Sequence, residues 1–303
     1  MNRIGYCCLS QFINEGKRKK DHIMVNRGMI KRTFDLKGLD YVSELIILNL
    51  KDTLKVLDFN INNKIYVYRL SSDSFPWMSE YEFIDLPNFN VIKNLMKSIG
   101  DKIKDNDIRC SYHPGPFNVL ASENPLVVTK TINELNKHGE LMDLLGLDRT
   151  TLYPINIHIN TTKPTRELAA ERFCKEFLNL SESCKSRLVV ENDDGLNQYS
   201  VKMLYDMIYR VIGIPITFDQ HHHNYGPQDL DMESALRLAH STWSTRVLTH
   251  MSSPKTIEDV TATKTAHADY IYEKIETYGL EFDTEIEAKA KDLAVIRYRK
   301  EFE

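Results

Sequence analysis

Short apolar runs alternate with longer amphipathic segments along most of this chain. The apolar runs predict β-strands, and the amphipathic segments predict helices. The predicted strands span residues 3–9, 65–70, 108–112, 153–157, 188–190, 214–218, 246–249 and 281–286. The predicted helices span residues 36–59, 88–103, 124–145, 165–180, 198–212, 230–241, 263–278 and 288–302. This repetition predicts eight parallel strands in a single-domain TIM-type (β/α)8 barrel over residues 1–303.

The last six predicted strands finish on residues that can bind metal ions or move protons. The residues at these ends are His113, His158, Glu191, Asp219, His250 and Glu287. A parallel barrel brings the carboxyl ends of all its strands to one face, so these side chains should converge there. One histidine at a strand end is more often a structural, hydrogen-bonded residue, but six such ends in register favour a site.

The stretch IPITFDQHHH, residues 214–223, shows the pattern most clearly. A buried strand runs into Asp219 and three consecutive histidines. A turning chain cannot aim all three imidazoles at one ion, so one or at most two should bind, and a solvated, histidine-rich loop is the alternative. His267, at the start of the predicted helix 263–278, is a further candidate ligand, with a helix-surface histidine as its alternative.

Imidazole and carboxylate ligands without thiolate suit manganese, zinc or iron. Because Glu191, Asp219 and Glu287 can each bridge two ions, the sequence predicts two or three divalent metal ions. Such clusters activate water and neutralise both oxygens in phosphoester cleavage. The net charge of −4 argues weakly against a nucleic-acid partner, but three divalent ions would make it +2.

Two loops could contact a polyanion or a base. The basic run Lys17, Arg18, Lys19 and Lys20 follows the first strand, and it is either a solvated loop or a phosphate contact. Trp77 lies in a proline-containing loop after the second strand, where an aromatic ring either packs or stacks on a base.

Composition excludes several classes of protein. The chain has 303 residues, 42% of them hydrophobic and 27% charged, which allows one large core. Five cysteines without a CxxC motif predict reduced thiols rather than a disulfide framework. Without an apolar run of membrane length or a secretory signal, a soluble intracellular protein is expected.

Phrases spread over nearly the whole chain resemble the UV-damage endonucleases, which are barrel enzymes similar to endonuclease IV. The phrases are RIGYCC, YRLSSD, SYHPGPF, IHIN, VVENDD, FDQHHH, THMSSP, HADYI and EAKAKDLAVIR. The resemblance implies a nuclease that nicks DNA 5′ to ultraviolet photoproducts and leaves a 3′-hydroxyl and a 5′-phosphate, with manganese favoured and zinc the other option. It implies metal ligands at His113, His158, Glu191, Asp219, His222, His250, His267 and Glu287. It also places Tyr6 near the scissile phosphate, beside the catalytic carboxylates Glu191, Asp219 and Glu287.

The sequence departs from the family pattern at several positions. The family has glutamine and an aromatic residue where this chain has Pro116 and Phe117, so lesion reading is expected to change. Leu248 occupies the position where the family has a lysine, often carboxylated, and Ser10 occupies the position of a family asparagine. Glu80 stands for a histidine and could supply an oxygen ligand instead.

The first hypothesis is therefore a metal-dependent endonuclease for damaged double-stranded DNA, acting as a monomer and without membrane contact. Phe117, Pro116 and Trp77 would probe the distorted helix, and Lys17 to Lys20 would hold phosphates. The alternatives are an abasic-site endonuclease, a sugar isomerase-like barrel enzyme, and a lesion-binding homologue with weak activity.

Overall fold

The eight strands form one parallel sheet that closes into a barrel. The computed structural model describes residues 2–303. The strands are β1 (Arg3–Cys7), β2 (Val67–Arg69), β3 (Arg109–Ser111), β4 (Ile155–Ile157), β5 (Leu188–Glu191), β6 (Ile216–Asp219), β7 (Val247–Met251) and β8 (Phe282–Ile286). Their order is β3-β2-β1-β8-β7-β6-β5-β4, and a parallel bridge between Tyr112 and Ile155 joins the two ends. The predicted (β/α)8 barrel is confirmed.

Helices cover the outside of the barrel. They are α1 (Lys31–Asn62), α2 (Phe89–Asp105), α3 (Pro125–Leu144), α4 (Arg166–Phe177), α5 (Glu182–Lys185), α6 (Val201–Leu204), α7 (Arg210–Ile212), α8 (Gln220–Tyr225), α9 (Met232–His240) and α10 (Asp292–Phe302). A π-helical turn, Tyr205–Tyr209, joins α6 to α7, so the predicted helix 198–212 is nearly continuous. Gly38 interrupts α1 with a φ of 62° and a ψ of −160°, a conformation that glycine adopts without a Cβ clash.

The hydrophobic core lies between the strands and the helices. Ile4 and Tyr68, which face outward from their strands, pack with Ile46 and Leu57 of α1, and all four are buried. The side chains that point into the barrel are more polar than those in the layer between strands and helices. At its amino-terminal end Asp283 contacts Arg3 at 2.7 Å and the fully buried Arg109 at 3.4 Å. Successive strand residues point alternately outward and inward, so polar inward positions leave the apolar layer intact.

The predicted helix over residues 263–278 is wrong. This part of the chain is irregular, and its only ladder contact is an antiparallel bridge between His267 and Pro254. The Glu258 carboxylate accepts hydrogen bonds from the backbone amides of Asp269 and Tyr270, at 2.9 and 3.3 Å. These long-range bonds outweigh the helix-like spacing of the apolar residues, of which Ile271 is buried in the core.

Among residues 2–303, no helix combines the length and apolar character needed to cross a bilayer.

Candidate metal centre at the carboxyl ends of the strands

Glu191 lies at the centre of a cluster of imidazoles and carboxylates at the barrel mouth, which is the opening at the carboxyl ends of the strands. It ends β5 and is fully buried. Its Oε2 lies 3.1 Å from His113 Nε2, 3.7 Å from His158 Nε2 and 3.0 Å from His250 Nδ1. Its Oε1 lies 3.2 Å from His222 Nδ1. One carboxylate therefore contacts imidazoles from the ends of four other strands or the segments that follow them, and three of these, His113, His158 and His250, are predicted strand ends.

Neighbouring acceptors orient the imidazole rings. His113 Nδ1 lies 3.3 Å from the Pro114 carbonyl oxygen, which leaves Nε2 directed at Glu191. His158 Nδ1 lies 3.0 Å from Asp193 Oδ1, and its Nε2 also faces Glu191. A carboxylate behind an imidazole fixes its tautomer and raises its basicity, which is the usual arrangement behind metal-binding histidines.

Asp219 has two structural roles at the end of β6. Its Oδ1 accepts a hydrogen bond from the His222 backbone amide at 2.7 Å and thereby caps α8. Its backbone is held by Asn192, whose side chain bonds both the amide and the carbonyl of Asp219, at 2.9 and 3.0 Å. The cap leaves Oδ2 free to face the cluster.

Arg69, at the end of β2, brings a fixed positive charge to the cluster. Its Nη1 lies 2.6 Å from Glu287 Oε1, and its Nε donates to Glu285 Oε2 at 2.7 Å. Its Nη2 is also 2.9 Å from His250 Nε2. Because Glu285 Oε2 is 3.3 Å from the same His250 nitrogen, the arginine and the imidazole share one carboxylate. Arg69 and Glu285 were not predicted as site residues.

The electrostatics of the cluster favour ionised carboxylates. Burial alone disfavours the charged form of Glu191, but His250, His158 and the other imidazoles outweigh it and hold its pKa well below the usual range. Burial is likewise outweighed at Glu285, where Arg69 and His250 lower the pKa to about 2. His250 is buried too, yet Glu191 raises its pKa to about 10, so without metal it is the donor to the carboxylates.

A second layer of side chains lies beneath the ligands. Each layer member precedes a ligand by two residues on the same strand and therefore faces the same way. Asn156, beneath His158, donates to Glu191 Oε2, and Ser111, beneath His113, donates to Glu285 Oε1. The period-two alternation of polar residues in β8 could have identified Glu285 from the sequence. Leu248, fully buried beneath His250, belongs to this layer and brings no polar atom to it.

The residues present fit divalent metal ions. Three groups have ligand atoms within 4.8 Å of one another: His113, His158 and Glu191; His113, His250 and Glu287; Glu191, Asp219 and His222. Glu191 Oε1 and Asp219 Oδ2 are buried without a hydrogen-bond partner among the described residues. Buried carboxylate oxygens without partners are costly unless an ion or water satisfies them. Nitrogen and oxygen donors without thiolate suit manganese, zinc or iron.

His267 lies at the edge of the cluster. Its Nδ1 is 3.1 Å from the Glu287 carbonyl oxygen and 3.6 Å from Glu287 Oε2, and its ring centroid is 6.2 Å from that of His222. It reaches this place from the irregular segment after β7, because the predicted helix there is absent. Seven predicted ligands therefore fall in the three groups, and His267 stands beside them.

The structure does not bring Tyr6 or Glu80 to the cluster. Tyr6 faces the helical layer, where its hydroxyl donates to Asn60 Oδ1 at 2.8 Å and its ring packs against Tyr68. The expectation that it lies by the scissile phosphate is wrong in this structure, since strand alternation turns it outward. Glu80 is on the surface and pairs with Lys31 at 3.2 Å, so it is not placed as an oxygen ligand.

The other two histidines of the triplet are buried structural residues. His221 Nε2 lies 3.0 Å from the Thr265 carbonyl oxygen, and the His223 ring packs against Phe218. Both side chains are almost fully buried. His221 thus connects α8 to the irregular segment that carries His267.

An open groove lies beside the cluster, at the carboxyl ends of β2 and β3. It has a volume of about 750 Å³, and Phe117 and Trp77 are among the residues that line it. Phe117 is 90% exposed, and the neighbouring Pro116 is also exposed. Trp77 is 37% exposed, because its ring packs near Phe34 and its Nε1 donates to the Met29 carbonyl. Phe117 is therefore free to contact a ligand, whereas Trp77 is partly engaged in packing.

The basic run after β1 is exposed. Lys17, Lys19 and Lys20 are open to solvent, while Arg18 pairs with Asp21 at 2.8 Å. The run lies on the same face as the cluster because it follows the carboxyl end of β1.

Comparison with known proteins identifies the family to which this chain belongs. Fold and site together define a TIM-barrel protein with a candidate polynuclear metal centre at its carboxyl-end mouth. The chain belongs to the UV-endonuclease UvdE family, whose model matches residues 2–303. It is 31% identical over 269 residues to the UV DNA damage endonuclease of Bacillus cereus strain G9842, covering 85% of this chain and 82% of the relative. It is 30% identical over 304 residues to the UV DNA damage endonuclease of Clostridium perfringens strain 13, covering 97% of this chain and 69% of the relative.

Solved structures show the same fold. The crystal structure of SacUVDE aligns with a TM-score of 0.84 at 26% identity, covering 99% of this chain and 97% of that one. Endonuclease IV from Thermus thermophilus aligns with a TM-score of 0.58 at 12% identity, covering 98% of each chain. D-psicose 3-epimerase from Clostridium cellulolyticum aligns with a TM-score of 0.52 at 12% identity, covering 77% of this chain and 78% of that one. The last two likenesses concern the fold alone.

Proposed function

We propose that this protein is a metal-dependent DNA repair endonuclease that nicks duplex DNA 5′ to ultraviolet photoproducts and leaves a 3′-hydroxyl and a 5′-phosphate. The observation that carries the proposal is the convergence of four imidazoles on the buried Glu191 carboxylate, where Glu191 Oε1 and Asp219 Oδ2 accept no hydrogen bond from the described residues. Family membership supplies the substrate class, since the relatives are named UV DNA damage endonucleases.

Two or three divalent ions, with manganese favoured over zinc, would be held by the three ligand groups and His267. Glu191 belongs to two of the groups and would therefore be a ligand in both. When bound, such ions supply an activated water and neutralise charge on the attacking and leaving oxygens of a phosphodiester.

The protein residues would position the substrate and hold charge. Asn192 and the α8 cap fix Asp219, and Asp193 Oδ1 lies 3.0 Å behind the His158 ring, so the ligand atoms are arranged before substrate arrives. Arg69 is the one fixed cation in contact with Glu287 and Glu285 among the described residues, and it limits repulsion between these acids. Glu191, Asp219 and Glu287 remain the proposed catalytic carboxylates, and Tyr6 is not retained among them.

The exposed Phe117 ring would contact the distorted DNA. It lies in the loop that follows His113, and stacking on a base is worth roughly 1–3 kcal/mol. Pro116 has no side-chain donor, so this loop would act by shape rather than by hydrogen bonding. Trp77 would border the same groove from the β2 side, and the protein would act as a monomer on double-stranded DNA, with Lys17 to Lys20 on the phosphates.

A nicking assay on a duplex with one cyclobutane dimer tests the proposal. Manganese-loaded protein should cut the damaged strand immediately 5′ to the dimer and leave the undamaged duplex intact. Glu191→Gln should abolish the cut while the circular dichroism spectrum is unchanged. Cleavage of an abasic duplex alone would instead favour the abasic-site alternative, and damage-specific binding without any cut would favour a lesion-binding homologue. The barrel likeness to an epimerase is below 25% identity and gives no reason to prefer a sugar substrate.

A further inference from the structure

One buried aspartate joins the loops that follow β1 and β8. Asp292, the first residue of α10, accepts hydrogen bonds from the Gln11 and Phe12 backbone amides at 2.7 and 3.1 Å and from the Ser10 hydroxyl at 2.5 Å. The Gln11 side chain in turn donates to the Lys289 carbonyl oxygen at 2.7 Å. The two loops are therefore one rigid unit beside Glu287. Ser10, where the family resemblance expected asparagine, is part of this junction.

Two lysines of the β8 loop have no counterion. Lys289 is exposed and Lys291 is half-buried, and neither ammonium group has an ion-pair partner within residues 2–303. They stand two and four residues after Glu287, in the segment that joins the ligand cluster to α10. In the β1 loop, Lys17, Lys19 and Lys20 are also exposed.

The backbone at Lys291 is strained. It has a φ of 56° and a ψ of −123°, a region that normally requires glycine. Strained residues of this kind persist where surrounding structure holds them, and they are concentrated at functional sites. Here the Asp292 junction holds the strained residue, so a lysine is kept where a glycine would be less costly.

Charge is distributed unevenly around the barrel mouth. Residues 8–30, after β1, carry five lysines and arginines and two acids. Residues 70–88, after β2, carry four acids and no lysine or arginine. Since β1 neighbours β2, the net loop charge changes from +3 on the β1 side of the mouth to −4 on the β2 side. A polyanion is attracted to the first side and repelled from the second.

We propose that the loops after β1 and β8 form a single phosphate-binding platform, in which Lys289 and Lys291 contact the DNA backbone beside Glu287. This inference rests on the proposed function, since it takes DNA as the ligand. The backbone would cross the mouth over β1 and β8, while uncharged base surface reaches Phe117 on the β3 side. Lys289 and Lys291 are positioning residues, because they hold phosphates and do not join the ligand groups.

The salt dependence of DNA binding tests the platform. Binding of an undamaged duplex to the full chain is measured by fluorescence anisotropy in EDTA, between about 50 and 200 mM KCl. Each lost phosphate contact lowers the slope of log K against log salt by about 0.9, so Lys289→Gln with Lys291→Gln should lower it by about 1.8. At about 0.15 M salt the same slope change corresponds to roughly 30-fold weaker binding. Arginine at both positions should preserve the slope.

Two further variants separate charge from folding. Lys51→Gln removes an exposed lysine of α1 that has no ion-pair partner among the described residues, and it should leave the slope unchanged. Lys291→Gly removes the charge and also relieves the strained backbone, so it should weaken DNA binding without lowering the melting temperature. A double variant whose slope equals that of Lys51→Gln, from a protein that nicks damaged DNA, would overturn the platform and leave the proposed function standing. A lowered slope in a protein that never nicks damaged DNA would support the platform and overturn the proposed function.

Discussion

Replacing Arg69 by methionine should destabilise the metal-free protein far more than the metal-loaded one. The guanidinium is 10% exposed and contacts Glu285 at 2.7 Å and Glu287 at 2.6 Å. Removing one partner of a buried ion pair costs roughly 3–5 kcal/mol, because the remaining charge is left unpaired. With an unfolding entropy of about 2.1 cal/mol/K per residue, 1 kcal/mol shifts the melting temperature of this chain by about 1.6 °C. The expected loss without metal is therefore about 5–8 °C.

Bound divalent ions should reduce this loss because they supply positive charge to the same carboxylates. The assay is differential scanning calorimetry of wild type and Arg69→Met, in EDTA and in saturating manganese. Arg18→Met is the control, since its exposed pair with Asp21 should contribute no more than about 1 kcal/mol. An equal loss with and without manganese, or no loss in EDTA, would refute the placement of Arg69 among the carboxylates of the candidate metal centre.

Three other predictions concern single side chains. Phe117→Ala should weaken damage-specific nicking by about 10-fold and leave the melting temperature unchanged, because the ring is 90% exposed. Leu36→Ala, at 81% exposure, is the control. An equal 10-fold loss of nicking in both variants would contradict the assignment of Phe117 to the DNA contact. Burial opposes ionisation of Glu258, but Lys255 and two backbone amides lower its pKa to about 2. Its stabilising contribution should thus be complete above its unfolded pKa of about 4.3 and be lost as the pH falls through 2. The melting temperatures of wild type and Glu258→Gln, measured by calorimetry, should therefore converge in acid. A difference between them that stays constant with pH would contradict this prediction. Tyr6→Phe should cost about 1–3 kcal/mol of stability through the unpaired Asn60 but leave kcat unchanged, and a large fall in kcat would restore Tyr6 to the site.

Most of the barrel and of its ligand set could be predicted from local pattern. Strand-end positions such as His158 and Asp219 follow from the ends of short apolar runs, and parallel topology then brings them together. The choice of His222 came from the family resemblance, and the structure places it by Glu191.

What the sequence could not give depends on long-range contacts. Arg69 looks like an ordinary strand residue until β8 places Glu285 and Glu287 beside it. The segment 263–278 has helix-like spacing, but Glu258 holds its backbone in another conformation. Tyr6 fails for a related reason, since residue order alone does not say which face of β1 points into the barrel.

The central claim is that Glu191 is the hub of a manganese cluster used for damage-specific nicking. Anomalous diffraction at the manganese edge, on crystals of protein shown to nick a dimer-containing duplex, tests it most directly. Two or three peaks are expected, one or more within ligand reach of Glu191 and the others beside Asp219 with His222 and beside His250 with Glu287. Active protein with no anomalous peak at Glu191 would contradict the claim.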